Sequence, residues 1–524
     1  MIKILSWINK KKKSSIRAYI RGYNKLLKEG NPEYIDQLKK KLSHTTLDNK
    51  KFDIFSLNPE EVCLQQFLIY RTLNTSFNTE ILKSLNKETT LNLTIPYSWR
   101  LLLEEEGFKA NTLKNHLNWK LFQFKWLFYS VYEGLSFFFK SFREKLIDDN
   151  YVYFHDLSSK NFPGSSKSLS SYNLINWFIN SGNLKVTRHI AHSAEINIKN
   201  ISTTKISKIN SPLPPLKGFS KLYFLIWLFA QTIYGLVNQK ECLILREKIM
   251  VKIFDFANKK NLPSSYYFHN SWAIFKPLWT YKAEQFGIEV VLYFYSTNIL
   301  TLTTRGKNEE SYFNPWLFSR WKEMLVWNKS QEHYINMKTS IKPSIFKVGP
   351  IPFYSDNHTL DIKQVDDKPK ILIFDVQPPK TSLFASLAPN INFYNSTNTK
   401  QFLNDIDLIA KKIDAQVYIK RKRNTSIVAN DYLYFLSKLK KNRGWIEIDA
   451  DINAFSLTET IKPDLSINFP FTSTAYITDS FAVPTVYYDP KKILVKTKYD
   501  YVDIELINTY EELKKWVIKT CNLS

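Results

Sequence analysis

The sequence predicts an α/β protein of two Rossmann-like lobes with a helical N-terminal extension. Three observations favour this fold class. Short apolar runs alternate with helical segments twice along the chain, a polar stretch separates the two alternations, and the first part of the chain shows helical patterns only. Strands that alternate with helices indicate βαβ units and parallel sheets. A chain of 524 residues is also long enough for two or three domains.

Residues 1–90 form the predicted helical N-terminal region. Residues 16–42 are basic and amphipathic, and Pro59, Glu60 and Glu61 are typical of a first helical turn. Four lysines at 10–13 follow the first apolar residues, whereas in a signal peptide the positive charge precedes a longer apolar run. We therefore do not expect secretion.

The cysteine content gives the same expectation about the compartment. Cys63, Cys242 and Cys521 are odd in number, far apart and without the spacing of a structural zinc site. Such a set is typical of a reducing compartment rather than of a disulfide framework. We expect a cytoplasmic protein.

Residues 91–354 form the predicted first lobe. Strands are expected at 151–156, 266–270, 290–295, 324–327 and 345–349, where apolar runs end in polar residues. The lobe also contains two aromatic and apolar stretches, 119–142 and 222–237. The second is shorter than the about 20 residues of a bilayer span. It is predicted to be either a buried core helix or a helix in the membrane interface, and a true membrane span is the third alternative.

A polar linker at residues 355–368 precedes the predicted second lobe, residues 369–490. Strands are expected at 370–375, 416–419, 446–448, 465–468 and 485–488, with helices between them. Residues 491–524 are predicted to be a closing segment with a helix at 510–520. Ligands of open α/β sheets bind at the carboxyl ends of the strands, so two such lobes would face a cleft.

The turn Pro470–Ser473 is the strongest local feature. A strand ends at Asn468, and Thr472, Ser473 and Thr474 then open a helix. Unpaired amides at a helix start, together with neighbouring hydroxyls, suit a phosphate. We predict that these three residues bind a donor phosphate; the alternative is an ordinary helix N-cap.

Charged residues follow other strands of the same lobe. Lys420, Arg421, Lys422 and Arg423 come directly after the strand at 416–419 and would add cations to the phosphate site. The alternative is a solvated basic turn. Asp375 and Asp489 each follow a strand and are predicted to bind the donor or its sugar. Asp489 would otherwise cap the turn at Pro490.

The first lobe contributes the predicted catalytic residues. His155 and Asp156 close its first strand, where a group facing the cleft suits a general base. A structural hydrogen-bonding role is the alternative. Ser296 and Asn298 follow another strand and are predicted to bind sugar hydroxyls.

The net charge of +25 favours anionic partners, either phosphate-bearing substrates or anionic membrane surfaces. The sequence contains no zinc-finger spacing, RNA-recognition signature or basic region ahead of heptads, so we do not expect nucleic acid as a partner. Glycine-rich phosphate loops, the GxSxG elbow and HExxH are absent. His189 and His192 lack accompanying carboxylates or thiols, and we expect neither a metal site nor a cofactor.

Five segments of the second lobe resemble bacterial surface-carbohydrate biosynthesis proteins, which are glycosyltransferases of the two-lobed GT-B type linked to O-antigen or capsule assembly. The resemblance covers about residues 95–490 and extends into the first lobe at 277–279, 295–298 and 348–350. The Thr472-Ser473 pair is also similar to the Ser/Thr pair of CMP-sugar-dependent transferases, but residues 420–423 stand where those carry a His-Pro motif. The second-lobe segments are 374–378, 402–405, 418–423, 470–475 and 486–490.

The resemblance implies a glycosyltransferase that moves a sugar from a nucleotide-activated donor to a lipid-linked or growing surface polysaccharide. It implies a donor side on the second lobe, an acceptor side on the first, and no metal requirement. With the basic charge and the two apolar stretches, it also implies peripheral contact with the inner face of the cytoplasmic membrane. One alternative is a transferase of a CDP-linked polyol phosphate such as glycerol phosphate. Another is a non-catalytic scaffold that binds polyanions or membranes.

Overall fold

Two parallel β-sheets, each covered by helices, form the body of the protein. The computed structural model describes residues 2–48, 50–85, 90–143, 147, 150–163, 172–181, 189–270, 275–297, 299, 301–306, 313–355, 362, 367–422, 425–501 and 504–522. Central strands such as β5, β6 and β10 are nearly continuous apolar runs because both of their faces are buried.

Helices dominate the first quarter of the chain and alternate with strands afterwards. The helices are α1 (Ile2–Lys28), α2 (Tyr34–Ser43), α3 (Pro59–Thr72), α4 (Thr75–Ser84), α5 (Tyr97–Glu105), α6 (Thr112–Lys140), α7 (Leu174–Asn180), α8 (Ser220–Val237), α9 (Gln239–Asp255), α10 (Leu278–Gln285), α11 (Lys329–Lys338), α12 (Thr381–Leu387), α13 (Ser396–Lys412), α14 (Asn430–Arg443), α15 (Ala454–Ile461), α16 (Thr474–Ser480) and α17 (Tyr510–Thr520). The strands are β1 (Val152–Phe154), β2 (His189–His192), β3 (Asn200–Ile201), β4 (Thr204–Lys208), β5 (Ser265–His269), β6 (Glu289–Tyr293), β7 (Leu302–Thr304), β8 (Glu323–Val326), β9 (Ser344–Lys347), β10 (Lys370–Phe374), β11 (Gln416–Lys420), β12 (Ile446–Ile448), β13 (Leu465–Asn468), β14 (Thr485–Tyr488), β15 (Leu494–Lys496) and β16 (Glu505–Ile507).

The first sheet has the strand order β3-β4-β2-β1-β5-β6-β8-β9, and only the edge strand β3 runs antiparallel. Its order reverses between β1 and β5, where Tyr153 lies opposite Tyr266. The second sheet has the order β12-β11-β10-β13-β14-β16 and is parallel throughout. This is the 3-2-1-4-5-6 order of a doubly wound Rossmann sheet. The predicted fold class is confirmed.

The N-terminal helices contact both lobes. Gln66 on α3 donates to Phe318 O of the first lobe at 2.8 Å. Tyr23 on α1 donates its hydroxyl to Pro389 O at 2.9 Å, and Asn78 on α4 donates to Leu387 O at 3.0 Å. The helical extension therefore joins the first lobe to the region around α12 of the second.

A two-stranded ribbon makes a second connection between the lobes. β7, which follows β6 of the first sheet, pairs antiparallel with β15, which follows β14 of the second. Further backbone bonds extend the ribbon at both ends, from Arg305 N to Ile493 O at 2.9 Å and from Thr497 N to Thr301 O at 2.8 Å.

The five strands predicted for each lobe are all present, and so is the helix at 510–520. The sequence does not predict β2, β4 or β16, which are short and carry polar residues. The core-helix interpretation of residues 222–237 is wrong, because most of α8 is exposed. Most of the predicted linker, residues 356–361 and 363–366, lies outside the described residues.

Candidate functional site

A cavity of about 670 Å³ lies between the two lobes and is called the interlobe cavity below. Its first-lobe wall comes from residues that follow β6 and β9, including Thr297 and Phe353. Its second-lobe wall comes from residues that follow β10, β11, β12 and β13. The carboxyl ends of both sheets thus meet at one cavity, which is the position at which open α/β sheets bind ligands.

The turn Pro470–Ser473 lies on the wall of this cavity, but two of its predicted phosphate ligands are engaged elsewhere. The buried Thr472 hydroxyl donates to Phe469 O at 3.0 Å, and the Thr474 hydroxyl donates to Asn468 Oδ1 at 3.1 Å. A hydroxyl has a single proton to donate. Neither side chain can therefore donate to a phosphate while keeping its bond. The capping alternative does not describe them either, because the N-cap of α16 is Ser473 and its side chain makes no capping hydrogen bond.

Ser473 remains available to a ligand. Thr297 of the first lobe donates its amide to Ser473 Oγ at 3.2 Å, and the two hydroxyl oxygens are 3.0 Å apart. If Thr297 donates in both bonds, the Ser473 proton points to the cavity. The amides of Thr472, Ser473 and Thr474 donate to no group in the described part of the chain. Three amides are therefore free to meet an anion, and the Ser473 hydroxyl joins them when Thr297 is the donor of the bond between the two hydroxyls.

The basic stretch after β11 also lines the interlobe cavity, with Lys420, Arg421 and Lys422. Lys420 Nζ donates to the carbonyls of Arg421 and Ala450 at 3.2 and 3.1 Å. Arg421 forms an ion pair with Glu447 on β12. Lys420 and Arg421 are thus held by groups at the ends of β11 and β12, whereas Lys422 is exposed. The three cations outnumber the one paired acid, Glu447, so the net charge of this stretch is positive. Arg423 lies outside the described residues.

Asp375 ends β10 at the reversal point of the second sheet and is buried against the cavity. Tyr432 donates its hydroxyl to Asp375 Oδ2. Asp375 Oδ1 is buried and has no hydrogen-bond partner among the described residues. Burial raises the pKa of this carboxyl to about 7, against the smaller opposing effect of the Tyr432 hydrogen bond. The carboxyl can therefore exchange a proton near neutral pH.

The other predicted sugar-binding residues differ in position. Ser296 lines the interlobe cavity, and its buried hydroxyl has no partner within the described ranges. Asn298 is not among the described residues. The prediction that Asp489 binds the donor is wrong. Its buried carboxylate accepts hydrogen bonds from the amides of Lys491 at 2.9 Å and Leu494 at 2.7 Å. The residue does not line the cavity. It caps the turn that leads to β15.

A second cavity, of about 650 Å³, lies within the first lobe and is called the aromatic cavity below. His155 and Asp156, at the end of β1, line it together with side chains from α3, α6 and α9. The His155 ring contacts Phe268 with centroids 4.7 Å apart, and burial lowers its pKa. Its buried Nδ1 has no partner among the residues described.

The predicted arrangement of His155 and Asp156 opposite Thr472 and Ser473 is wrong. The two pairs line different cavities, because α6 and α9 cover the carboxyl end of β1 and enclose a separate space there. His269 stands between the cavities. It lines the aromatic cavity and donates through Nε2 to Asp156 O at 3.3 Å, while its ring packs on residues of the interlobe wall.

Helices α6 and α8 present an exposed apolar face, called the apolar surface below. The two helices pack closely at Gly235, where a Cβ would lie 2.9 Å from Leu127 Cδ1 of α6. Among the described helices, α8 alone is long and apolar enough to cross a membrane, and 17% of it is buried. The exposed side chains are Leu113, Leu117, Leu121, Phe124, Phe128, Tyr129, Tyr132, Leu135, Phe139 and Phe142 beside Phe219, Leu222, Tyr223, Ile226, Phe229, Ile233, Tyr234, Leu236 and Val237.

Cations border the apolar surface. α6 contains four lysines and a single acid, Glu133, and the only charged residue of α8 is Lys221. Lys221 Nζ lies 3.5 Å from the centroid of the Phe142 ring, so the end of α6 meets the beginning of α8. Exposed Lys140, Arg143 and Lys217 lie in the same segments. The combination suits the interface of an anionic membrane.

The sequence did not indicate three residues that organise the site. Thr297 carries the contact to Ser473, and Gln331 holds the Thr297 loop by donating to Thr297 O at 2.7 Å and Ser296 O at 3.1 Å. His269 separates the cavities. A polar residue just after a strand was the available signal for Thr297 and His269; Gln331 lies on α11 and gives none.

Several solved structures are similar to the chain at low sequence identity. UDP-GlcNAc 2-epimerase from Methanocaldococcus jannaschii matches at 11% identity, with 72% of this chain and 92% of that chain covered and a TM-score of 0.37. A UGT transferase from Siraitia grosvenorii in complex with UDP matches at 10% identity over 71% and 92%, with a TM-score of 0.37. The glycosyltransferase SnogD from Streptomyces nogalater matches at 10% identity over 65% and 83%, with a TM-score of 0.29. No curated protein sequence matches the chain.

A family profile described as polysaccharide biosynthesis PFTS motif protein matches residues 223–517. The match runs from α8 to α17, which is more than half of the chain and includes the whole second sheet. In one-letter code, the turn Pro470-Phe471-Thr472-Ser473 on the interlobe cavity reads PFTS. The chain belongs to the polysaccharide biosynthesis PFTS motif protein family.

Proposed function

We propose that the chain is a glycosyltransferase of surface polysaccharide synthesis that binds a nucleotide-activated sugar in the interlobe cavity. The observation that carries this proposal is the meeting of both sheets' carboxyl ends at one cavity, on whose wall the PFTS turn lies beside a basic stretch. A nucleotide-linked sugar needs both elements, because its phosphates carry negative charge and its base and sugar need walls on either side.

The donor phosphate would lie against the Ser473 hydroxyl and the three neighbouring amides, in the positive field of Lys420, Arg421 and Lys422. Thr472 and Thr474 would act by holding the turn. Ser296, whose hydroxyl is buried without a described partner, would bind a donor hydroxyl. We retain Arg423 and Asn298 as further donor contacts, since each directly follows residues of the cavity wall.

Asp375 is the better placed group for activating the acceptor, because it lines the cavity that Ser473 also lines and its pKa is about 7. The acceptor hydroxyl would attack the anomeric carbon as Asp375 takes its proton. The bond from that carbon to the phosphate oxygen would break, and the nucleotide would leave with the electron pair. We propose that His155 and Asp156 serve the acceptor side instead, from the aromatic cavity.

We further propose peripheral binding of the apolar surface to the cytoplasmic face of an anionic membrane, where a lipid-linked acceptor would be found. The exposed apolar side chains of α6 and α8 and their bordering cations support this location. We propose that donor binding needs no metal and that nucleic acid is not a partner.

The donor site is tested by titrating the full-length protein with CMP-, UDP- and CDP-linked sugars. Ser473→Ala removes a hydrogen bond to a charged group and should weaken binding of the true donor about tenfold. Ser480→Ala is the matched control, because Ser480 is exposed at the other end of α16 and donates to Ile477 O. Equal affinities of the two variants would contradict the assignment.

The same screen separates the alternatives. Binding and turnover of a CDP-linked polyol phosphate, without a nucleotide sugar, would replace the main proposal by the polyol-phosphate transferase. If no donor binds and no turnover is found, while salt-sensitive lipid binding persists, the scaffold alternative applies.

A further inference from the structure

The aromatic cavity and the apolar surface are continuous. Tyr129 and Tyr132 of α6 belong to both, because each is exposed on the helix and lines the cavity. Phe137 and Lys140, one to three turns further along α6, also line the cavity. A molecule held on the apolar surface can therefore pass over α6 into the cavity without leaving the protein.

The charges of this cavity are unevenly compensated. Arg246 forms an ion pair with Glu133 and lies 3.8 Å from Glu247. Arg71 instead lies over the ring of Trp126, 4.6 Å from its centroid, and forms no ion pair within the described residues. Burial, and then the nearby Arg246, lower the pKa of Arg71. One guanidinium at the mouth of the cavity is thus stacked and oriented but has no counter-ion.

Two polar residues at the end of β1 also line this cavity. His155 has a buried Nδ1 without a partner in the described part of the chain, whereas its neighbour Asp156 is exposed. The His269 ring, which also lines the cavity, contacts Tyr295 and Phe353 of the interlobe wall. The cavity therefore combines an uncompensated guanidinium, aromatic rings and polar groups, and it adjoins the apolar surface at Tyr129 and Tyr132.

We propose that the aromatic cavity binds the phosphate-bearing head of a lipid-linked acceptor whose hydrocarbon chain lies along α6 and α8. Arg71 binds the phosphate, Trp126 and the tyrosines pack against the head, and His155 and Asp156 meet its polar end. The role of this lipid as an acceptor rests on the proposed glycosyl transfer. The binding of the lipid does not.

The size of the cavity decides how much of the acceptor it holds. A volume of about 650 Å³ is that of a site for a small molecule and cannot enclose a long lipid. The chain must therefore lie outside, where α6 and α8 expose apolar rings and aliphatic groups next to the mouth. An anionic head and an apolar tail match a cavity that contains the uncompensated Arg71 guanidinium and adjoins an apolar surface.

The test is co-sedimentation of full-length protein with vesicles of phosphatidylcholine and phosphatidylglycerol, with or without a long-chain polyprenyl phosphate. The total negative charge of the two vesicle types is kept equal. Wild type should bind the polyprenyl phosphate vesicles more tightly, and Arg71→Gln should lose about tenfold of that affinity. Binding to vesicles without polyprenyl phosphate should stay within about twofold.

Lys438→Gln is the matched control, because Lys438 is an exposed cation over an aromatic ring, Tyr434, on the second lobe. It should bind both vesicle types as wild type does. Equal loss in both variants, or none in Arg71→Gln, would overturn the inference. Release of the protein from the doped vesicles by millimolar inorganic phosphate would show a site for soluble phosphate and overturn the lipid assignment.

The outcome is separable from that of the proposed function. Normal donor binding with no effect of Arg71→Gln contradicts only the lipid site. Capture of polyprenyl phosphate that depends on Arg71, with no donor bound by any preparation, supports the lipid site and contradicts the glycosyltransferase.

Discussion

The interlobe cavity and the aromatic cavity have nearly the same volume but differ in position and in the surface that they adjoin. The first lies between two lobes and is lined by strand-end hydroxyls, cations and a protonatable carboxyl. The second lies inside one lobe, is walled by aromatic rings and opens on an apolar surface. The difference indicates a division of partners: a water-soluble, phosphorylated ligand suits the first, and an amphiphile from a membrane suits the second.

The largest expected effect concerns the titration of Asp375 in the interlobe cavity. Its pKa of about 7 lies above the usual value, so the folded state holds a proton that the unfolded state has released between about pH 4 and pH 7. The free energy of unfolding should fall by up to about 4 kcal/mol as the pH rises through this window. Asp375→Asn should abolish that fall while Tyr432 keeps a partner.

Denaturant midpoints at pH 5 and pH 8 would measure this effect in wild type and in Asp375→Asn. If the carboxyl is also the general base, the variant should lose at least about a hundredfold in kcat with unchanged donor affinity. An unchanged pH dependence in the variant would show that the carboxyl titrates normally.

The next effect separates the membrane contact from the donor site. Ile226→Asp with Phe229→Asp places two charges on the exposed face of α8 and should weaken binding to anionic vesicles at least about a hundredfold. Donor affinity should not change, because both positions are far from the interlobe wall in the chain and do not line it.

Tyr434→Asp is the control for that double substitution, since Tyr434 is equally exposed on α14 of the second lobe. A similar loss of vesicle binding in the control would mean that any added acid weakens a general electrostatic attraction. The proposed membrane contact beside the aromatic cavity would then have no support from this experiment.

A smaller effect of opposite sign is expected in the aromatic cavity. Burial lowers the pKa of His155. Below about pH 6.5 the unfolded state therefore binds a proton that the folded state does not bind. The His155 contribution to the free energy of unfolding should be lost as the pH falls, against the opposite contribution of Asp375, and His155→Gln should reduce this acid-side loss by roughly 2 kcal/mol. Part of the loss should remain, because burial also lowers the pKa of His192. Thermal unfolding between pH 7 and pH 5 tests this, and an identical profile in the variant would contradict it.

The smallest effect is expected from a chelator. The described residues contain no group of three or more His, Cys, Asp or Glu side chains that could hold a metal. Donor binding, measured by titration before and after EDTA treatment, should therefore stay within experimental error. A drop that Mg²⁺ or Mn²⁺ reverses would show that cations, rather than Lys420–Lys422 alone, neutralise the donor phosphate.

The second lobe was more predictable from sequence than the first for a physical reason. Its central strands, such as β10 and β11, contain short apolar runs that end in polar residues, because both faces are buried. β2 begins and ends with histidine, and β4 alternates with lysine, so neither has the composition of a buried strand although both pair in the sheet.

The site was predictable in part. The sequence locates residues at strand ends, and Ser473, Lys420 and Asp375 do line one cavity. It does not reveal where a hydroxyl proton goes, and the Thr472 proton goes to Phe469 O. It also does not reveal that α6 and α9 pack over β1 and give His155 a cavity of its own, because that depends on contacts between distant segments.

The contacts of the N-terminal helices have a consequence for the order of events during synthesis. Tyr23 and Asn78 bond to the region around α12, which is separated from them by 366 and 309 residues. These helices leave the ribosome when their partner has not yet been translated, and contacts of such separation form late. These helices must therefore remain with part of their apolar face uncovered until the second lobe has been made, and the second lobe completes their folding.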